Sequence, residues 1–89
     1  MKCVQIQVSG KVQGVWFRAS TQRKANELNI KGIVKNLPNG DVYIEAEGEE
    51  DPLKNFVKWC YQGSDHSRVD NVIILELETK SFEDFKIVR

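Results

Sequence analysis

Polar and apolar residues alternate from Cys3 to Ser9, with Val4, Ile6 and Val8 on one side and Cys3, Gln5 and Gln7 on the other. This period of two predicts a strand over residues 3–9. Gly10-Lys11-Val12-Gln13-Gly14 interrupts it, and from Arg18 to Asn29 the spacing changes. Thr21, Ala25 and Leu28 fall at i, i+4 and i+7, one face of a helix, with Arg23, Lys24 and Glu27 off that face. Gly32 is placed to end the connection after this helix. Residues 32–37 read as a second strand. Leu37-Pro38-Asn39-Gly40 reads as a turn, because Asn-Gly adopts positive φ at little cost. Val42, Ile44 and Ala46 then alternate with Asp41, Tyr43, Glu45 and Glu47, which predicts a third strand paired antiparallel with the second. Asp51-Pro52 predicts a helix start, Asp as N-cap and Pro at the first helical position. Leu53, Phe56, Val57 and Cys60 form its apolar stripe, and Gly63-Ser64-Asp65 ends it. Residues 69–78 predict a fourth strand, and Phe85 to Val88 a short fifth.

The order strand-helix-strand-strand-helix-strand is that of the split βαβ, or ferredoxin-like, arrangement. The expected fold is α+β: an antiparallel sheet with two helices on one face and a short fifth strand. In it the first and second strands run in the same direction, so their C-terminal ends share one edge of the sheet. The loop from Gly10 to Phe17 leaves the first strand at that edge, and Asn36 lies near the end of the second. The 89 residues fit a single domain spanning 1–89.

Composition narrows the function classes. With 40% hydrophobic and 29% charged residues, the chain has enough apolar content to fold on its own core. Thirteen basic residues balance thirteen acidic ones. Nucleic-acid binding draws most of its affinity from a basic excess, so neutrality argues against it while leaving room for a local anion site. The RNA-recognition domains share this strand-helix order, but the third strand, Asp41-Val42-Tyr43-Ile44-Glu45, lacks their aromatic signature. The longest aliphatic run is Val72-Ile73-Ile74-Leu75, far short of the roughly 18 residues of a membrane span. The first residues alternate instead of forming a signal peptide's continuous core, so no membrane partner and a cytoplasmic location are expected. Cys3 points away from the apolar face of its strand while Cys60 lies on a helix stripe, so free thiols are expected. One histidine and two separated cysteines give no zinc-ligand spacing. Glu45, Glu47, Glu49 and Glu50 read as a solvated acidic face, and Lys35 alternates away from Asn36.

The segment from Gly10 to Arg18 carries the candidate chemistry. Its glycines permit tight curvature and close approach of backbone N–H groups to a ligand. The helix behind it offers unpaired N–H groups and a positive dipole end. Arg18 adds a guanidinium where that dipole disfavours a cation, an arrangement that suits an anion held between them. From loop composition alone, the segment reads equally as an anion site or as a plain turn with a solvated Arg18. It is not a Walker loop, because the G-K-[ST] ending is missing.

Val8-x-Gly10-x-Val12-Gln13-Gly14-Val15-x-Phe17-Arg18 resembles the first signature of the acylphosphatase family. Gly32-Ile33-Val34-Lys35-Asn36, followed by Gly40-x-Val42 and Gly48, is similar to the second, and Thr21-Gln22 and Phe85-Lys86-Ile87 also fit. The resemblance spans nearly the whole chain. It implies hydrolysis of the carboxyl-phosphate anhydride of acyl phosphates by direct in-line attack of water. It implies that the backbone N–H groups of Gln13, Gly14, Val15, Trp16, Phe17 and Arg18, with the Arg18 side chain, bind the phosphoryl group. Asn36 would orient the water, with no metal and no cofactor. Inorganic phosphate would be both product and inhibitor, and the enzyme a monomer. The chain departs from the family at Ile33, usually aromatic, and at Ser64-Asp65-His66, which replaces a proline-containing stretch. The resemblance places neither departure in the chemistry. A regulatory domain that kept the anion loop but lost turnover is the rival reading, and retention of both Arg18 and Asn36 argues against it.

Overall fold

The period-two segments are strands and the period-3.6 segments helices in the computed structural model, which describes residues 1–89. In chain order these are β1 (Lys2–Lys11), α1 (Phe17–Glu27), β2 (Lys31–Asn36), β3 (Val42–Gly48), α2 (Glu50–Gln62), β4 (Arg68–Leu77) and β5 (Phe85–Val88). The strands form one sheet in the order β4-β1-β3-β2-β5. β3 pairs antiparallel with both β1 and β2, setting Ile44 opposite Ile6 on one side and Val34 on the other. Alternation then collects Val4, Ile6, Val8, Val34, Val42, Ile44 and Ala46 on one face. That face packs against Phe17 and Ala25 of α1 and Leu53, Phe56 and Cys60 of α2. Each Val, Ile or Leu side chain so buried contributes roughly 1.5–3 kcal/mol. Thr21 is also fully buried on α1, where its hydroxyl donates to the Phe17 carbonyl one turn back at 2.7 Å.

The sheet is mixed, not wholly antiparallel: β5 runs parallel to β2, with Val34 opposite Ile87. The cause is the connection before it. β4 and β5 lie at opposite edges, so residues 78–84 must cross the whole sheet. Four strand spacings of about 4.8 Å make roughly 19 Å, against a reach of roughly 26 Å for eight steps of extended chain. The crossing has little slack, and its N–H groups cannot satisfy one another. Glu47 satisfies them. Its carboxyl oxygens accept from the backbone N–H groups of Lys80 (2.7 Å), Ser81 (3.3 Å) and Phe82 (3.0 Å). Glu47 is therefore only 1% exposed and not part of a solvated acidic face. Glu45 beside it is half-covered, bonded to the Tyr43 hydroxyl at 2.6 Å and the Lys80 ammonium at 2.7 Å.

Three local expectations also change. α1 ends at Glu27, where Asn29 takes the left-handed conformation (φ 57°) that breaks the helix. Gly32 instead lies inside β2 at φ 149°, where a Cβ would collide with the Glu45 carbonyl of the neighbouring strand. α2 starts one residue before Asp51, which lies in its first turn and favours the helix dipole without capping it.

Cys3 and Cys60 are both buried and free, on opposite faces of the sheet. Burial pushes the Cys60 thiol up, and burial with the nearby Glu47 and Glu45 pushes Cys3 up. Both thiols therefore stay protonated at pH 7, and the expected outcome is negligible alkylation of the native protein by iodoacetamide, read by mass spectrometry. Replacing Glu47 with Ala leaves three N–H groups of the crossing without partners. The expected cost is about 2–4 kcal/mol, measured as a lower midpoint in urea unfolding with an unchanged slope.

Candidate active site

β1 and β2 deliver their C-terminal ends to the same edge of the sheet, because each is antiparallel to β3. The chain leaving β1 curls through residues 12–16 and enters α1 at Phe17. Two residues of the curl are left-handed. Gly14 (φ 74°) reaches this conformation without strain, whereas Trp16 (φ 62°) does so at a cost of about 1–2 kcal/mol. No side chain caps the first turn of α1, and that turn holds no acidic residue. Its leading N–H groups and dipole thus act outward, toward whatever lies before the helix.

What lies there is a cleft of about 430 Å³, lined by Val12, Gly14, Trp16, Phe17, Arg18 and Ala19 from the loop and α1, Asn36 from β2, and Ile87 and Arg89 from the last strand and the residue after it. Arg18 and Asn36, more than a dozen residues apart in sequence, share this one space. No Asp or Glu side chain lines it, and neither Arg18 nor Arg89 takes part in an ion pair. In a chain of zero net charge, the charged side chains at this cleft are therefore both cationic. The Asn36 Oδ1 atom is buried, and no protein group donates to it. An orphaned amide oxygen costs roughly 1–3 kcal/mol, which a hydrogen-bond donor reaching it would recover.

The loop is fastened on both flanks. The Gln13 side-chain amide donates to the carbonyls of Leu37 (2.8 Å) and Asp41 (2.9 Å) in the β2–β3 turn. The Ser64 hydroxyl donates to the Val15 carbonyl at 3.1 Å. Gln13 and Val15 accordingly do not line the cleft, whereas Gly14, Trp16, Phe17 and Arg18 do. Ser64 belongs to the stretch that departs from the family pattern, yet it holds the loop directly. Phe17 is core, 5.5 Å from the Trp59 ring, while Trp16 is 77% exposed. Lys35 turns to the other face, its ammonium 5.4 Å from the Tyr43 ring centre.

The acylphosphatase family model matches residues 4–87. The chain belongs to the acylphosphatase family. It is 52% identical over 80 residues to the acylphosphatase of Marinobacter nauticus, covering 89% of this chain and 87% of that one. The crystal structure of the Bacillus subtilis acylphosphatase superposes with a TM-score of 0.97 at 38% identity, over the full length of both chains. The Coxiella burnetii acylphosphatase structure gives 0.94 at 41% identity, covering 98% of this chain and 92% of that one.

Sequence reasoning missed Val12, Ala19, Ile87 and Arg89 as walls of this acylphosphatase-family cleft. A signal existed for the last two. Phe85 is buried against the helices, and period two carries Ile87 and Arg89 to the same face. The parallel register then brings Arg89 beside Asn36, one step beyond the Lys35–Val88 pair.

Trp16 packs little and holds a strained φ, so replacing it with Gly trades about 1–2 kcal/mol of strain against about 0.5–1 kcal/mol of backbone entropy. The expected outcome is a midpoint of unfolding unchanged or slightly raised; a loss above about 2 kcal/mol would show a packing role for the ring.

Proposed function

We propose that residues 1–89 act as one acylphosphatase unit, hydrolysing acyl phosphates to a carboxylate and inorganic phosphate. The observation that carries this reading is the shared cleft: an unpaired Arg18 at an uncapped helix start, and in the same lining Asn36, whose side-chain oxygen is buried without a partner. The Arg18 side chain and the backbone N–H groups of the loop residues that line the cleft, Gly14, Trp16, Phe17 and Arg18, bind the phosphoryl dianion. Asn36 Oδ1 accepts a hydrogen bond from the attacking water and so turns a lone pair of the water toward phosphorus.

The bond from water oxygen to phosphorus forms as the bond to the acyl oxygen breaks in line. The electron pair leaves with the carboxylate, and the water's proton passes to a phosphoryl oxygen. Such transfer depends on positioning and on stabilising charge spread over the equatorial oxygens. A carboxylate leaving group, whose parent acid has a pKa of about 4, departs without a general acid. The cleft needs no titrating residue, and Arg18 and Asn36 suffice without metal or cofactor. Product phosphate occupies the same cradle and inhibits by competition. Nothing in this scheme asks for a second chain, which fits a monomer acting in the cytoplasm.

The test is hydrolysis of benzoyl phosphate, followed by ultraviolet absorbance with chelator present. Fast turnover inhibited competitively by phosphate is expected, and a folded protein that does not exceed the spontaneous rate would overturn the reading. Arg18→Ala should lower kcat/KM by about 10³-fold or more and abolish phosphate inhibition. Asn36→Ala should lower kcat by about 10²–10³-fold while the phosphate inhibition constant stays within about threefold. Loss of phosphate affinity with normal kcat would remove Asn36 from the water-orienting role.

A further inference from the structure

The Gln13 side chain joins two segments that the proposed chemistry needs in register. Its Nε2 is the only donor atom of that side chain, and both of its hydrogens are used, one on the Leu37 carbonyl and one on the Asp41 carbonyl. These carbonyls form the neck of the β2–β3 turn. Leu37 donates its N–H to the Asp41 carbonyl at 2.8 Å, and Gly40 donates to the Leu37 carbonyl at 3.1 Å. Leu37 directly follows Asn36 in the chain. The turn itself is anchored to β1, where the Gln7 amide donates to the Asp41 carboxylate at 2.6 Å. The turn is therefore the fixed body. The curl over residues 12–16, with its two left-handed residues, is the part that must be held against it.

We infer that Gln13 is a positioning residue that sets the phosphoryl-binding loop at the working distance from the Asn36 amide. This rests on the reading above, in which the loop holds the phosphoryl group and Asn36 the water. The Gln13 side chain touches neither. It acts through the carbonyls next to Asn36, and a displacement of about 1 Å between reacting groups costs on the order of 10²-fold in rate. Because both cradle and helix start remain when the side chain is cut, phosphate affinity should survive while turnover falls. The assigned role also explains why a glutamine stands here: a carboxylate or an aliphatic side chain of the same length offers no N–H to the two carbonyls.

The experiment is a double-mutant cycle on benzoyl phosphate hydrolysis with the wild type, Gln13→Met, Asn36→Ala and the double variant. Gln13→Met keeps length and volume but removes the donor. The expected result is a kcat lowered about 10- to 100-fold, a phosphate inhibition constant within about threefold of the wild type, and less than about threefold further loss when Gln13→Met is added to Asn36→Ala. A side chain that only supports the fold would instead give independent losses. Full loss in the Asn36→Ala background, an unchanged kcat in Gln13→Met, or phosphate affinity falling in step with kcat would each overturn the inference. Gln13→Asn keeps the amide one methylene short and should repeat the pattern. If both Gln13 variants fail to fold by circular dichroism, the side chain is a folding element and the positioning role is lost. Wild type without turnover sinks the functional reading and this inference with it, whereas active wild type with independent losses sinks the inference alone.

Discussion

Everything at the cleft depends on β3 lying between β1 and β2. Antiparallel pairing on both sides obliges the two outer strands to run the same way, so both end at one edge. A loop leaving β1 and the last residue of β2 thereby become neighbours, although helix α1 separates them in sequence. The register is fixed by burial: a slip of one residue would turn Ile6, Ile44 and Val34 out of the core and bring Gln7, Tyr43 and Lys35 into it. The same slip would rotate Asn36 away from the helices. The apolar face that stabilises the sheet therefore also decides which way the amide points.

Positive charge at this edge is created by omission as much as by placement. The chain carries as many acids as bases, but no Asp or Glu side chain lines the cleft, and several are held by partners elsewhere. Glu45 and Glu47 hold the crossing segment, Asp70 pairs with Arg68, and Glu50 pairs with Lys2 and Lys54. Arg18 is left at a helix start with no counter-ion, and the N–H groups of that helix have no cap. The folded chain bears the resulting unfavourable electrostatics because the core is made elsewhere. Under the proposed reading, an entering dianion relieves that tension, and the orphaned Asn36 oxygen similarly gains a donor from water.

The residues legible in the sequence were those whose type and local spacing carry the information. Arg18 at a helix start, Gly14 in a curl and Asn36 at a strand end need only the element order to be placed together. What was not legible depends on partners far along the chain. Glu47 alternates with Ala46 and so reads as solvent-facing, and nothing local shows that residues 78–84 will lie over it. Asp51 before Pro52 has the chemistry of a cap, yet α2 begins one residue earlier and the Leu53 N–H bonds to the Glu49 carbonyl. The parallel pairing of β5 follows only once β4 is known to be at the far edge. Ser64 reads as a departure outside the chemistry because its bond to the Val15 carbonyl spans 49 residues.

The crossing also links fold stability to the shape of the cleft. β5 has four residues and pairs on one side only, too little to be ordered by its own ladder. It is held at its start by three kinds of contact. Glu47 clasps the segment before it, the Gly32 N–H donates to the Asp84 carbonyl at 2.8 Å, and the Gln22 side chain donates to the Phe85 carbonyl at 2.9 Å. Phe85 then enters the core, 6.0 Å from the Phe56 ring. From that anchor, period two carries Ile87 and Arg89 to the cleft wall beside Asn36. A carboxyl group buried at the opposite end of the sheet thus fixes where the cleft wall stands, with β5 as the rigid connection between them.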